Sequence, residues 1–119
     1  MKVAIHNFQE FPKTMLLMGL LYRVCGNYNE SKYYLEKSLQ QNKKLNNFEN
    51  NIEIGINLHE LGKTYSFLYE NEKAKEMCKN GCEILEKKLG KNHPITCRAL
   101  NNFAVVLYKK GEYKESKQL

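Results

Sequence analysis

Three small constellations in this chain have residue types and spacings that suit chemistry. Cys78 and Cys82 stand four apart, which on a helix places two thiols on one face at a spacing that can bind metal. His93 and Cys97 repeat that interval at a predicted helix start, where a neighbouring imidazole would favour an activated thiol. His59 and Glu60 are adjacent, as in a metalloprotease helix. Each set lacks its partners. The face of Cys78 and Cys82 continues into Leu85 and Leu89, an apolar packing stripe, and no second pair or nearby histidine completes a site. His93 precedes Pro94 and reads as a fixture of the helix entry, with Cys97 packed behind it. No second histidine follows His59 at the metalloprotease interval, and the glycines sit singly at helix ends and packing positions, not in a phosphate loop. The expectation is no catalytic residue, no metal site, no cofactor and no enzyme.

The elements that carry these residues repeat. Gly26-Asn27-Tyr28-Asn29-Glu30-Ser31-Lys32 is echoed by Gly111-Glu112-Tyr113-Lys114-Glu115-Ser116-Lys117, with a degenerate copy at Tyr69-Glu70-Asn71-Glu72-Lys73-Ala74-Lys75 between them. The unit is therefore about forty-two residues long, the mark of supersecondary units that bury their cores only by stacking. Helical periodicity dominates and no stretch alternates like a strand. Pro12 starts a helix that Gly26 ends, with Met15, Met18, Gly19 and Tyr22 at three-and-four spacing. A second helix from about Tyr28 to Lys44 turns Tyr28, Ser31, Leu35, Ser38 and Leu39 inward. A linker over Leu45 to Asn51 precedes a second pair, in which Leu58, Leu61, Gly62 and Tyr65 repeat the first spacing. The turn falls around Tyr69 to Asn71, with Tyr69 where glycine is expected, and the next helix, about Glu72 to Leu89, buries Ala74, Met77, Cys78, Cys82 and Leu85. After Gly90 the chain restarts at Pro94 with Leu100, Phe103, Ala104 and Leu107, then a turn at Gly111 into a sixth helix cut short at Leu119. Either the chain is a piece of a longer array or something else covers that edge.

At 119 residues the chain holds one domain, 1–119, in units of approximately 12–50, 51–91 and 92–119. The longest apolar run, Met15 to Tyr22, is bounded by Lys13 and Arg23, far short of the roughly twenty residues that a bilayer span needs. No signal peptide is legible, so a soluble, cytoplasmic protein with reduced thiols is expected. The net charge of +6 fits an acidic partner. Lysine supplies nearly all of it, scattered among glutamates with only Arg23 and Arg98 beside it, so nucleic acid is not favoured.

The pattern of large apolar, two residues, large apolar, small, two residues, aromatic or apolar resembles the tetratricopeptide repeat. Met15, Met18, Gly19, Tyr22, Gly26, Tyr28 and Ser31 carry it first, then Leu58, Leu61, Gly62, Tyr65 and Ala74, then Leu100, Phe103, Ala104, Leu107, Gly111, Tyr113 and Ser116. Leu89-Gly90-Lys91-Asn92-His93-Pro94-Ile95-Thr96, followed by Leu100-Asn101-Asn102-Phe103-Ala104, is similar to the longer repeats of kinesin light chains. The resemblance implies an all-α fold: antiparallel helix pairs stacked into a right-handed superhelix of about two and a half repeats. It implies a concave groove, lined by the first helix of each pair, that binds a peptide or segment of a partner protein.

The groove would present Lys13, Leu16, Leu17, Leu20 and Arg23 from the first unit; His59, Glu60, Lys63, Ser66 and Phe67 from the second; and Arg98, Asn101, Asn102, Val105, Tyr108 and Lys109 from the third. Asn101 and Asn102 stand where such repeats place asparagines that hydrogen-bond peptide backbone, although in an Asn-rich chain they read equally as solvent-facing. Leu16, Leu17 and Leu20 either offer an apolar wall or are covered by residues before Pro12 or another subunit. The lysine-and-asparagine carboxylate clamp of chaperone-binding repeats is absent as a set, so a C-terminal carboxylate ligand is not supported. The expected function is protein–protein interaction. The alternatives are a structural, self-associating segment of a longer scaffold, joined through its repeat ends, or the regulatory repeat region of a larger signalling protein.

Overall fold

The structure is a computed structural model that describes residues 11–45 and 51–118, with side chains as far as 109. The linker expected between the first two pairs lies largely outside these residues, as do the side chains of Tyr113 and Ser116 and the last residue, Leu119. Five helices follow in order: α1 (Pro12–Val24), α2 (Tyr28–Leu45), α3 (Ile52–Phe67), α4 (Asn71–Leu89) and α5 (Pro94–Gln118). Among the described residues there is no strand.

The boundaries follow from local chemistry. Pro12 occupies the first turn of α1, where its missing donor is not needed. Asn51 caps α3 by accepting from the Glu53 amide at 2.8 Å, and His93 Nδ1 accepts from the Ile95 amide at 3.1 Å at the start of α5. Gly26, with φ +84°, closes α1. Its amide donates to the Arg23 carbonyl at 3.0 Å and the Asn27 amide to the Tyr22 carbonyl at 2.9 Å, the paired bonds of a Schellman cap. The same two bonds end α3, from Tyr69 to Ser66 and from Glu70 to Tyr65, but Tyr69 adopts the left-handed conformation there at φ +63°. The degenerate second copy therefore keeps the turn and carries the backbone strain of a side chain in it.

Within each pair, a small residue brings the helices together. A Cβ on Gly19 would lie 2.6 Å from Leu35 Cγ, and one on Gly62 would lie 2.6 Å from Cys78 Sγ and 2.9 Å from the Ala74 carbonyl oxygen. Leu35, Leu39, Ile54, Leu61, Tyr65, Ala74, Cys78 and Val106 form the main core, and Cys82, Leu85 and Ala99 a second cluster between α4 and α5. Helix α3 touches each of the other four helices. It accordingly buries polar as well as apolar faces, where the sequence pattern reserved one face for a groove.

The third unit departs from expectation. Helix α5 runs without a break through Gly111, where a turn was expected. A glycine inside a helix costs only about 1 kcal/mol, and continuing the helix keeps the backbone bonds that a turn would give up. Ala104, the counterpart of Gly19 and Gly62, is therefore exposed, and Leu107 is 41% exposed.

Because Tyr69 is itself 82% exposed, its side chain contributes little to packing. The Tyr69→Gly variant should be more stable by about 0.5–1 kcal/mol, measured by denaturant unfolding, since left-handed strain is relieved and only partly offset by glycine's greater chain entropy.

Candidate functional site

The polar residues expected to line one groove converge around a single carboxylate. Glu60, near the middle of α3, is 2% exposed. Arg23 reaches it from α1: Nη2 donates to Oε1 at 2.7 Å, while Nη1 donates to the Glu60 carbonyl at 2.8 Å and to Thr64 Oγ1 at 3.3 Å. Arg98 reaches it from α5, with Nε donating to Oε2 at 2.7 Å. Asn102, one turn further along α5, donates from Nδ2 to Glu60 Oε1 at 3.4 Å and to His59 Nδ1 at 2.9 Å. Ser31 of α2 closes the cluster at 3.0 Å from Thr64 Oγ1. The carboxylate thus has a guanidinium on each side, and the first helices of three successive units are tied through it.

The electrostatics follow from this packing. Burial alone pushes the Glu60 carboxyl up, but the attraction of His59, once acid has charged that ring, and the bonded guanidiniums of Arg98 and Arg23 at every pH hold it below the ordinary carboxylate range. Burial lowers His59 to about 4, against the opposing pull of Glu60, so the imidazole is neutral at neutral pH. With Nδ1 accepting from Asn102, its proton sits on Nε2, the one sealed side-chain polar atom without a partner among the described residues. Lys63, one turn past His59, has its ammonium pushed down by burial and by the neighbouring charges of Arg23, Arg98 and Lys109, with Glu60 opposing. Lys109 Nζ lies 3.6 Å from the centre of the Phe67 ring, and Phe67 stacks on Tyr28 with centroids 4.8 Å apart.

The expected groove residues therefore divide. Arg23, His59, Glu60, Ser66 and Asn102 are buried and are not open groove wall. A helix flanked by a first helix on each side hides the face that an isolated pair would expose. Asn102, expected to face a peptide or solvent, instead serves Glu60 and His59. Lys63, Phe67, Val105 and Lys109 are half-buried around the cluster, and Arg98 is 57% exposed although bound to Glu60. Lys13, Leu17, Asn101 and Tyr108 are exposed. Leu16 and Leu20 pack against the edge of the main core. No interval in the sequence marks Arg23, Glu60 and Arg98 as one set; their being the chain's only arginines beside a glutamate in a first helix was the single available signal.

Cys78 and Cys82 are buried in the helix packing. Burial pushes the thiols of Cys78 and Cys82 up to about 12 and about 11, far from the thiolate that a metal or a nucleophile requires. Cys97, expected to pack, is exposed, with its thiol directed at the Lys91 carbonyl at 3.5 Å. Its neighbour His93 serves the helix start.

The family model of the tetratricopeptide repeat matches residues 58–95 and 96–119, just over half of the chain. A search of curated proteins finds no match. Among the described residues, no helix is long and apolar enough to cross a membrane.

Two measurements check the cluster. In the unfolded chain His59 binds its proton near 6.5 and in the folded protein only near 4. Stability should therefore fall as pH drops through that window, by roughly 2 kcal/mol between pH 7 and 4.5 in chemical denaturation. Glu60 adds a further loss below its ordinary 4.5, as acid protonates the carboxylate. The His59→Phe variant should flatten the first slope. Asn102→Ala should lower stability by about 1–3 kcal/mol, because it strips the amide from His59 and Glu60.

Proposed function

The chain belongs to the tetratricopeptide repeat family, with the longer repeat resembling that of kinesin light chains, and from that premise we propose that it binds an acidic segment of a partner protein across the face of α1, α3 and α5. Repeats of this family generally mediate protein–protein interaction. The observation that carries the acidic specificity is the crowding of Arg23, Arg98 and Lys63 around one carboxylate. Glu60 neutralises only one of those charges, and Arg98 carries its own to the surface. Burial and the neighbouring guanidiniums both lower Lys63; a carboxylate-rich segment laid there would offset the repulsive part, and partly desolvated cations bind anions more strongly than fully hydrated ones. The family's repeats are non-enzymatic interaction modules, and the chain is read as having no chemistry of its own. All four cysteines are unpaired, which fits a reducing, cytoplasmic setting.

A second reading, self-association, is favoured by one feature: the exposed Ala104 and Leu107 on the side of α5 that in both earlier units is covered by a second helix. The boundaries 12–50, 51–91 and 92–119 remain the proposed units.

The first reading is tested with fluorescein-labelled glutamate-rich peptides. Lys63→Glu should weaken the best binder about tenfold with helicity unchanged, and raising salt from about 50 to about 200 mM should weaken it for the wild type. Indifference to both would remove the acidic-partner reading. Light scattering addresses the second. A molar mass that climbs with concentration, and that Leu107→Lys returns to the monomer value, is expected if the bare face of α5 pairs.

A further inference from the structure

A cavity of about 340 Å³ opens between the starts of α1 and α3, where it also meets the last turns of α2. Leu16 and Ile56 supply its apolar lining, and Lys13 and Glu53 its charged lining. Two further lining residues, Ser38 and Asn42, are polar and buried, at 0% and 5% exposed.

Ser38 and Asn42 belong to a hydrogen-bond relay whose direction is forced at one end. The carbonyl of Pro12 can only accept, so Ser38 Oγ gives it its single proton, at 2.7 Å. That hydroxyl is then an acceptor for Asn57 Nδ2, at 2.9 Å. With its nitrogen committed, Asn57 turns Oδ1 toward Asn42, which donates from Nδ2. The group left over is Asn42 Oδ1. Among the described residues nothing donates to it, and the one sealed and unpartnered side-chain atom there is His59 Nε2, not this oxygen. The oxygen of a residue that is 95% buried and lines the cavity therefore opens into it. A backbone carbonyl three links away dictates that the floor shows an acceptor and not a donor.

We propose that this cavity is an anchoring subsite for a partner side chain with an apolar body that ends in an N–H or O–H donor. Leu16 and Ile56 take the body and Asn42 Oδ1 takes the proton. A group of the same shape ending in a bare acceptor is disfavoured, because it would leave two oxygens facing each other unpaired. The subsite deepens the groove reading above and rests on it for the source of the side chain. Ile56 and Lys63 are seven residues apart on α3, about 10 Å at a helix's rise per residue. An extended segment covers that distance in about three residues, so the proposal specifies a ligand with a donor-tipped apolar anchor and an acidic group three residues away.

The test uses the isotope-labelled full chain and two matched probes, phenol and its methyl ether anisole, titrated separately and followed by the methyl signals of Leu16 and Ile56 and the side-chain amide of Asn42. Phenol should shift all three and bind about fivefold or more tightly than anisole. Ile56→Phe, which fills the cavity without touching the relay, should abolish both sets of shifts, and Leu16→Phe serves in its place if the first variant loses helicity. Equal binding of the two probes, or no shift at these residues, overturns the subsite. A glutamate-rich peptide run alongside separates the two claims: peptide binding without phenol discrimination leaves the groove standing and removes the subsite. Phenol discrimination without peptide binding keeps the donor-selective cavity and removes the acidic groove.

Discussion

The buried carboxylate of Glu60 constrains the rest of this molecule. A lone ionised group at that depth would be costly and would take up a proton instead, so Glu60 stays a carboxylate only because cations reach it. Arg23 and Arg98 do so from opposite sides, on helices that precede and follow α3 in the array. Such a pair is not a large source of net stability, since an apolar filling of the same volume often does as well. Its effect is on register. Removing Glu60 would leave the buried Arg23 guanidinium uncompensated, at a typical cost of about 3–5 kcal/mol, whereas the more exposed pair with Arg98 contributes less; α1 above all cannot slide along α3 without penalty.

Close backbone approach supports that arrangement from the other side. Around Gly81 of α4, a Cβ would meet the Gly55 carbonyl oxygen at 2.8 Å and the His59 amide at 2.9 Å. The helix that carries Glu60 and His59 is thus seated against α4 with no room for a methyl group. His59 depends on this: its ring is enclosed, its carbonyl receives the Cys78 thiol at 3.6 Å, and its imidazole remains neutral. The apolar clusters supply the driving force for folding, while the glycines and the ion cluster select one packing among those that would bury similar area.

Two polar systems cross the boundaries between units, and they differ in kind. The Glu60 cluster is ionic and extends to the surface through Arg98. The relay through Ser38, Asn57 and Asn42 is neutral and begins at a backbone carbonyl. One sits by α3's middle and the other by its start.

Local chemistry in the sequence was sufficient to determine the repeat, the helices and most of their inner faces. Pro12, Asn51 and Pro94 mark helix starts, Gly26 and Gly90 mark ends, and Ser31, Leu35, Ala74, Cys78 and Leu85 are buried where three-and-four spacing put them. These are interactions over a few residues, or between two helices joined by a short turn, and periodicity reports them. Tertiary structure decided the fate of the remaining polar face. Arg23 and Glu60 are 37 residues apart and Glu60 and Arg98 are 38 apart, and a polar side chain reads the same in a sequence whether it meets water or a counter-ion from the next unit. For that reason Asn102 and Glu60 looked like groove residues and became structural ones. The path of α5 through Gly111 was decided in the same way, since glycine permits both a turn and a helix and only the packing available to each distinguishes them.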